Sequence, residues 1–264
     1  MVETKLLWEI IFFCSLMLNI AVAVRYVPRL PFIRAALGPK YFIPYCPLEA
    51  LDAIFTPGEF GPTLDAQVDF IGRATVPVAG AVKDSEAWVL AVMAKKSRRI
   101  FEFGTCTGRT TYHLARNSPA DAIVTTMTLP PKGRDQYTVE AGDGKVDVDH
   151  ALSESAFTRF FYSGTPVESK IKQLFADSKQ FDEAPYLNSC DLIFVDGSHA
   201  YSYVKSDSKK ALQMIKPGGV ILWHDYHYNP KAVPGVFQAL NELSMTYPMK
   251  LVSGTSLVMY RKIK

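Results

Sequence analysis

The sequence predicts a doubly wound α/β fold, a mostly parallel sheet joined by crossover helices. Three observations carry this. Arg99-Ile-Phe-Glu-Phe-Gly-Thr-Cys-Thr-Gly108 is a short apolar run with an acid near its end, followed by a glycine-bearing turn and by Arg109-Thr-Thr, which can open a helix. Further short apolar runs, two of them ending in an acid, alternate with amphipathic stretches to about residue 261. The last two runs follow one another directly and read as a closing pair of strands.

Residues 6 to 24 are almost wholly apolar, broken by Glu9, Ser15 and Asn19. At about 1.5 Å per residue they nearly span a hydrocarbon core of roughly 30 Å. Residues 1–24 are therefore expected to be a single-pass membrane anchor formed by an N-terminal apolar helix. Ala21-Val-Ala23 keeps a cleaved signal peptide open, and an interfacial or packed helix is the third reading. Arg25, Arg29, Arg34 and Lys40 follow, which by the positive-inside rule puts the remaining chain in the cytoplasm. Residues 25–74 carry Pro28, Pro31, Pro44, Pro47 and Pro57 among aromatics and read as a connector without long regular elements.

Residues 75–264 read as the main domain. Asp84-Ser-Glu-Ala-Trp-Val-Leu-Ala-Val-Met has an acidic first turn and reads as a helix. A strand over about 100–103, a helix over about 109–116 and a strand over about 122–127 come next, the last closed by Leu129-Pro-Pro131. Residues 132–168 are polar and then aromatic at Phe157, Phe160, Phe161 and Tyr162; they read as an insertion whose aromatics pack. The pattern resumes with a strand ending near Asp177, the buried strand Asp191-Leu-Ile-Phe-Val-Asp196 and an amphipathic helix over 201–215. Lys216-Pro-Gly-Gly219 turns into a strand over 220–223, a helix over about 233–244 follows, and strands over about 249–253 and 256–261 close the chain.

A chain of 264 residues that is 48% hydrophobic can bury one sizeable core. A net charge of +3 with no Arg/Lys stripe argues against a nucleic-acid partner. Cys14, Cys46, Cys106 and Cys190 form no Cys-x-x-Cys, which argues against zinc, and the scatter of the three outside the apolar N-terminus fits reduced thiols.

Taken as a set, Glu-Phe-Gly-Thr-Cys-Thr-Gly at 102–108, Asp177-Ser178, Val-Asp-Gly-Ser-His at 195–199, Lys-Pro-Gly-Gly at 216–219 and Trp-His-Asp-Tyr at 223–226 resemble the class I S-adenosylmethionine-dependent methyltransferases. The resemblance spans about residues 75–262. It implies a Rossmann-like sheet of seven strands with an antiparallel last strand, and S-adenosylmethionine as cofactor. Glu102, Gly104, Thr105 and Gly108 fall on the motif that holds the methionine part, and Asp177 and Ser178 on the motif beside adenine. Where the family usually carries a ribose-binding acid, this chain has Thr128. Its hydroxyl lacks the charge-assisted strength of a carboxylate by a factor of roughly two. Thr128 therefore keeps open a methyltransferase-like scaffold that has lost catalysis and tethers partners at a membrane. An NAD-dependent dehydrogenase is disfavoured by the Gly-x-x-x-Gly turn and the missing acid.

The reaction so implied moves a methyl group to a hydroxyl of a small-molecule, sugar or lipid-linked acceptor, and that hydroxyl must lose a proton. Asp196 ends one strand and His224-Asp225 end the next, and neighbouring strand ends lie roughly 5 Å apart. Asp196, His224 and Asp225 could therefore hold one divalent cation. Mg²⁺ is favoured by the carboxylates, and a transition metal by the imidazole. Related metal-dependent O-methyltransferases place ligands where Asp196 and Asp225 stand, and His199 resembles the base of sugar O-methyltransferases. Asp196 and His199 are thus the expected catalytic pair. Tyr201, Tyr226 and His227 are candidates for the acceptor pocket, while His113 and His150 read as solvated. The sequence leaves the oligomeric state open.

Overall fold

The computed structural model describes residues 15–17, 19, 43–59, 61–62, 65–69, 79–80, 82–227, 229 and 231–263. The elements are β1 (Tyr45–Cys46), α1 (Leu48–Leu51), α2 (Asp84–Ala94), β2 (Arg99–Phe103), α3 (Arg109–Asn117), β3 (Ile123–Thr128), α4 (Lys145–Glu154), β4 (Ile171–Phe175), β5 (Cys190–Val195), α5 (Tyr201–Met214), β6 (Ile215–Trp223), α6 (Pro234–Leu243), β7 (Lys250–Val252) and β8 (Val258–Arg261). Short 3-10 turns occur between several of them.

Side chains alternate across the sheet with the period of two that a strand imposes. Ile100, Leu192, Phe194, Val220 and Leu222 face a core built with Val89, Leu90 and Val92 of α2 and Leu114 of α3. Phe101, Phe103, Ile193, Val195, Ile221 and Trp223 face a second core built with Val204 and Ala211 of α5 and Val236 and Leu240 of α6. Both faces are covered, so the central strands are mainly apolar, with Glu102 of β2 and Thr125 and Thr126 of β3 as buried polar exceptions.

The strand order is β1-β7-β8-β6-β5-β2-β3-β4. β2, β3, β4, β5 and β6 run parallel, and β8 is antiparallel to both β6 and β7. The sheet therefore has eight strands where seven are expected. The addition is β1, a two-residue strand from the proline-rich connector, paired parallel with β7. Asp52 fastens this region to the sheet: its carboxylate accepts from Arg261 at 2.5 Å and Lys96 at 2.5 Å and caps the next turn through Ile54 N. The chain winds outward from β2 in one direction and from β5 in the other. The crevice between their carboxyl ends is the switch point at which such sheets bind ligands.

Two expectations need correction. The single-pass membrane anchor, and with it the placement of a membrane-held domain in the cytoplasm, is overturned: among the described residues no helix is long and apolar enough to cross a membrane. Only residues 15–17 and 19 of the apolar N-terminal stretch are described, and the rest of that expectation lies outside the described residues. His113 is not solvated. It is fully buried on α3, neither ring nitrogen has a hydrogen-bond partner, and burial together with the nearby Arg109 pulls it down to about 4.

Candidate active site

The carboxyl ends of β2, β3, β4 and β5 open into a cleft. Gly104 and Cys106 form its floor at the end of β2, Thr128 and Leu129 follow β3, Asp177 and Ser178 follow β4, and Asp196 and Ser198 follow β5. Ala151, Glu154 and Ser155 close one side. They come from α4 and the residue after it, in the insertion, where no helix was expected.

The glycine turn is shaped by protein contacts. Gly104 has φ +97, and a Cβ there would sit 1.9 Å from the Asp196 carbonyl oxygen. Its lack of a side chain lets the turn after β2 lie against the end of β5. Gly108, at φ +76, caps α3 in the left-handed region, and a Cβ there would meet the Tyr162 ring at 2.8 Å. Of the insertion aromatics, Phe160 and Tyr162 therefore pack, stacked over the turn, while Phe161 is exposed.

Glu102 lies beneath the turn, fully buried and outside the cleft lining. One carboxylate oxygen accepts from Thr111 and from Thr126 Oγ1 at 2.6 Å, while the other has no partner. Burial pushes this carboxyl up to about 8. Thr105 is buried too, with Oγ1 2.8 Å from Thr126 Oγ1 and accepting from Gln173 at 3.1 Å.

Asp196, His199, His224 and Asp225 form one cluster at the ends of β5 and β6. His199 Nε2 lies 2.9 Å from Asp225 Oδ2. His224 Nδ1 lies 2.9 Å from Asp196 Oδ1 and 3.1 Å from Asp225 Oδ2, and its Nε2 lies 3.1 Å from Glu86 Oε2. Burial alone would lower His224, but Asp196 outweighs it and holds the ring well above its ordinary value. Burial would raise Asp225, but hydrogen bonds from His199, His224 and His227 hold it far below the carboxylate range. Burial raises Asp196 despite His224. His199 ends above its ordinary value because the Asp225 hydrogen bond and charge outweigh its burial.

Asp196, His199 and Asp225 each offer a ligand atom within 4.8 Å of the other two. His224 stands outside that trio, with a carboxylate on each ring nitrogen. Of the acceptor-pocket candidates, Tyr226 is buried in the core against Asn241, and so it is withdrawn from that role. Tyr201 donates to Glu242 at 2.7 Å, and His227 Nε2 lies 3.9 Å from Asp225. His150 of α4 lies beside the cluster, its ring 5.1 Å from that of His199.

Sequence reasoning passed over Glu86, Glu154 and Asp207. Glu86 is fully buried and accepts from Lys83 N, Ser256 N and Ser256 Oγ as well as facing His224, and with these donors its carboxyl is held at about 2 against its burial. An acid at the third position of a helix reads as a cap, which Glu86 also is. Its signal is ambiguous for that reason.

Residues 101–226 match a family model described as a methyltransferase domain. No curated protein matches the sequence. Among solved structures, the chain is similar to an O-methyltransferase from Bacillus cereus in complex with SAH, at 19% identity and TM-score 0.46, covering 71% of this chain and 84% of that one. It is similar to the O-methyltransferase TomG from Streptomyces achromogenes, involved in tomaymycin synthesis and solved with SAM, at 18% identity and TM-score 0.45, covering 69% and 82%. It is also similar to the SAH-bound methyltransferase PaMTH1 of Podospora anserina, at 16% identity and TM-score 0.47, covering 70% and 80%.

Proposed function

We propose, for a chain whose residues 101–226 match a methyltransferase-domain model, that it is an S-adenosylmethionine-dependent O-methyltransferase acting on a hydroxyl of a small molecule. The observation that carries the reading is the pairing of His199 with Asp225 at 2.9 Å beside a cleft whose buried carboxylates lack donors. The cleft fits the cofactor. It opens at the switch point, and the orphaned oxygens Asp177 Oδ2 and Asp207 Oδ1 await a ligand's polar groups.

When bound, S-adenosylmethionine supplies an electrophilic methyl carbon on a sulfonium sulfur. Thr128, Asp177 and Ser178 line the side that would hold its nucleoside, while Gly104 and Cys106 line the side of the methionine part. Asp225 accepts from His199 Nε2–H, fixing the tautomer and leaving Nδ1 to take the acceptor's hydroxyl proton. With the cofactor bound, its methyl would pass to the acceptor oxygen, the carbon–sulfur electron pair would leave on S-adenosylhomocysteine, and the hydroxyl proton would go to His199. Alignment by the cleft walls supplies much of the acceleration.

A second reading is favoured by the convergence of Asp196, His199 and Asp225 within 4.8 Å. Two carboxylates and an imidazole suit a divalent cation, which would lower the hydroxyl's pKa directly. In that case His199 acts as a ligand, and the trio takes the place expected for Asp196, His224 and Asp225. The inert scaffold is not favoured, since a lost cofactor site has no use for an open cleft with donor-starved carboxylates.

Calorimetry of the full chain with S-adenosylmethionine, S-adenosylhomocysteine and NAD⁺ tests the reading. Micromolar binding of the first two alone supports it. A folded protein that binds none of them overturns it. Methyl transfer to a panel of hydroxyl acceptors, with Mg²⁺ or with chelator, then separates the two mechanisms.

A further inference from the structure

Two buried carboxyls, Asp177 and Asp207, line the same cleft. Asp177, just past β4, is 3% exposed, and Asp207, on the inner face of α5, is 1% exposed. Asp177 Oδ1 accepts from Lys179 N at 3.1 Å, but Oδ2 has no partner. Asp207 hydrogen-bonds the Ser178 hydroxyl, and Oδ2 lies where a Cβ on Gly197 would approach to 3.4 Å; Oδ1 has no partner. A buried polar atom left without a partner is destabilising, and two in one place point to a ligand that supplies what the protein withholds.

The surroundings define that ligand's shape. Tyr137 and Tyr203 stack at 4.3 Å, Tyr203 OH is pinned by Thr138 N at 3.0 Å, and the Lys179 ammonium covers the Tyr203 ring at 4.3 Å. Leu129 and Ala176 complete walls suited to a flat ring. Burial and the charge of Asp177 push Asp207 up to about 7. Near neutral pH the pair can therefore present one acceptor and one carboxylic O–H donor. An amine beside a ring nitrogen, the Watson–Crick edge of adenine, offers the complementary donor and acceptor.

We infer that Asp207 is a cofactor-specificity residue, which together with Asp177 reads the N6-amine and N1 edge of adenine. The inference rests on the cleft being an S-adenosylmethionine site. It adds a residue from α5, outside every motif read from the sequence, and assigns base selection to it.

The test is calorimetric titration of the full chain with three ligands: S-adenosylhomocysteine, its 1-deaza analogue, which replaces N1 by C–H, and its 7-deaza analogue, which leaves that edge intact. The unmodified protein should bind the 1-deaza ligand at least about tenfold more weakly than the parent, a difference of about 1.4 kcal/mol, and the 7-deaza ligand about as well as the parent. In Asp207→Ala the parent should weaken to the level of the 1-deaza ligand, and the preference between the two should vanish. Equal binding of parent and 1-deaza ligands by the unmodified protein overturns the inference without any variant, and so does a preference that survives Asp207→Ala. Absence of binding by all three overturns the cofactor reading as well, which is a separate result from binding without N1 preference.

Discussion

His199 shows how far one residue's chemistry depends on its partner. Burial alone would lower its imidazole, and Asp225 at 2.9 Å reverses the sign. A base works only when unprotonated, so a raised pKa moves the rising limb of the pH–rate profile to higher pH. Methyl transfer should climb with pH at values above the ordinary imidazole pKa of about 6.5. Asp225→Asn removes the raising partner and should shift that limb to lower pH while reducing the plateau, as a pH–rate profile would show. His199→Ala should cost roughly 10²–10⁴ in turnover and leave S-adenosylhomocysteine affinity unchanged by calorimetry, and equal losses in both would contradict a role as base. Asp196, His199 and Asp225 were visible in the sequence because each follows a recognisable strand. The setting of His224 was not, because Glu86, which faces its Nε2, lies 138 residues away on a helix whose acidic start reads as a cap.

At the scale of elements, the loop between β2 and α3 carries the clearest lesson. The order strand, glycine turn, helix is legible because glycine and the apolar period are local signals. What the glycines accommodate is not local. Gly104 clears the Asp196 carbonyl and Gly108 clears the rings of Phe160 and Tyr162, contacts made by segments distant in sequence. Gly104→Ala should therefore be more damaging than its backbone angle alone implies. A non-glycine residue in the left-handed region costs about 1–2 kcal/mol, and Gly164→Ala, at φ +77 with no atom near its new Cβ, should cost that much. Gly104→Ala adds a clash at 1.9 Å with backbone and should lose clearly more stability in urea titration, together with cofactor binding, because β5 must retreat and take Asp196 with it. Similar costs for the two variants would show that the turn yields freely. The helix α4 escaped prediction for a related reason. Its residues Lys145-Val-Asp-Val-Asp-His are weakly amphipathic, and only tertiary packing over the cleft gives them a defined place.

For the whole molecule, the doubly wound core was legible because the central strands are mainly apolar on both faces, whereas β1 was not, since two residues beside prolines carry no period. The titration of buried groups is likewise a property of the whole. Glu102 at about 8 and Asp207 at about 7 hold protons that the unfolded chain, with carboxyls near 4, has already released. His199 and His224, both raised, add the same sign, and His113, lowered to about 4, opposes them below about pH 6.5 as a single group against four. Between about pH 5 and pH 8 the folded state thus binds more protons than the unfolded one, and stability must fall as pH rises. Below that window the sign reverses. Glu86 at about 2, with Asp52 and Asp225 also lowered, must be protonated for unfolding to gain, so stability is lost as pH falls from about 4.5 towards 2. The ligand-free protein should therefore be most stable near pH 5, which urea midpoints at pH 3, 5, 6.5 and 8 would establish. Glu102→Gln keeps the buried shape without the titrating proton and should flatten the decline between pH 5 and 8. A midpoint that instead rises across that interval in the unmodified protein would mean that Glu102 and Asp207 are ionised in the fold, and that their unpartnered oxygens are met by donors other than their own protons.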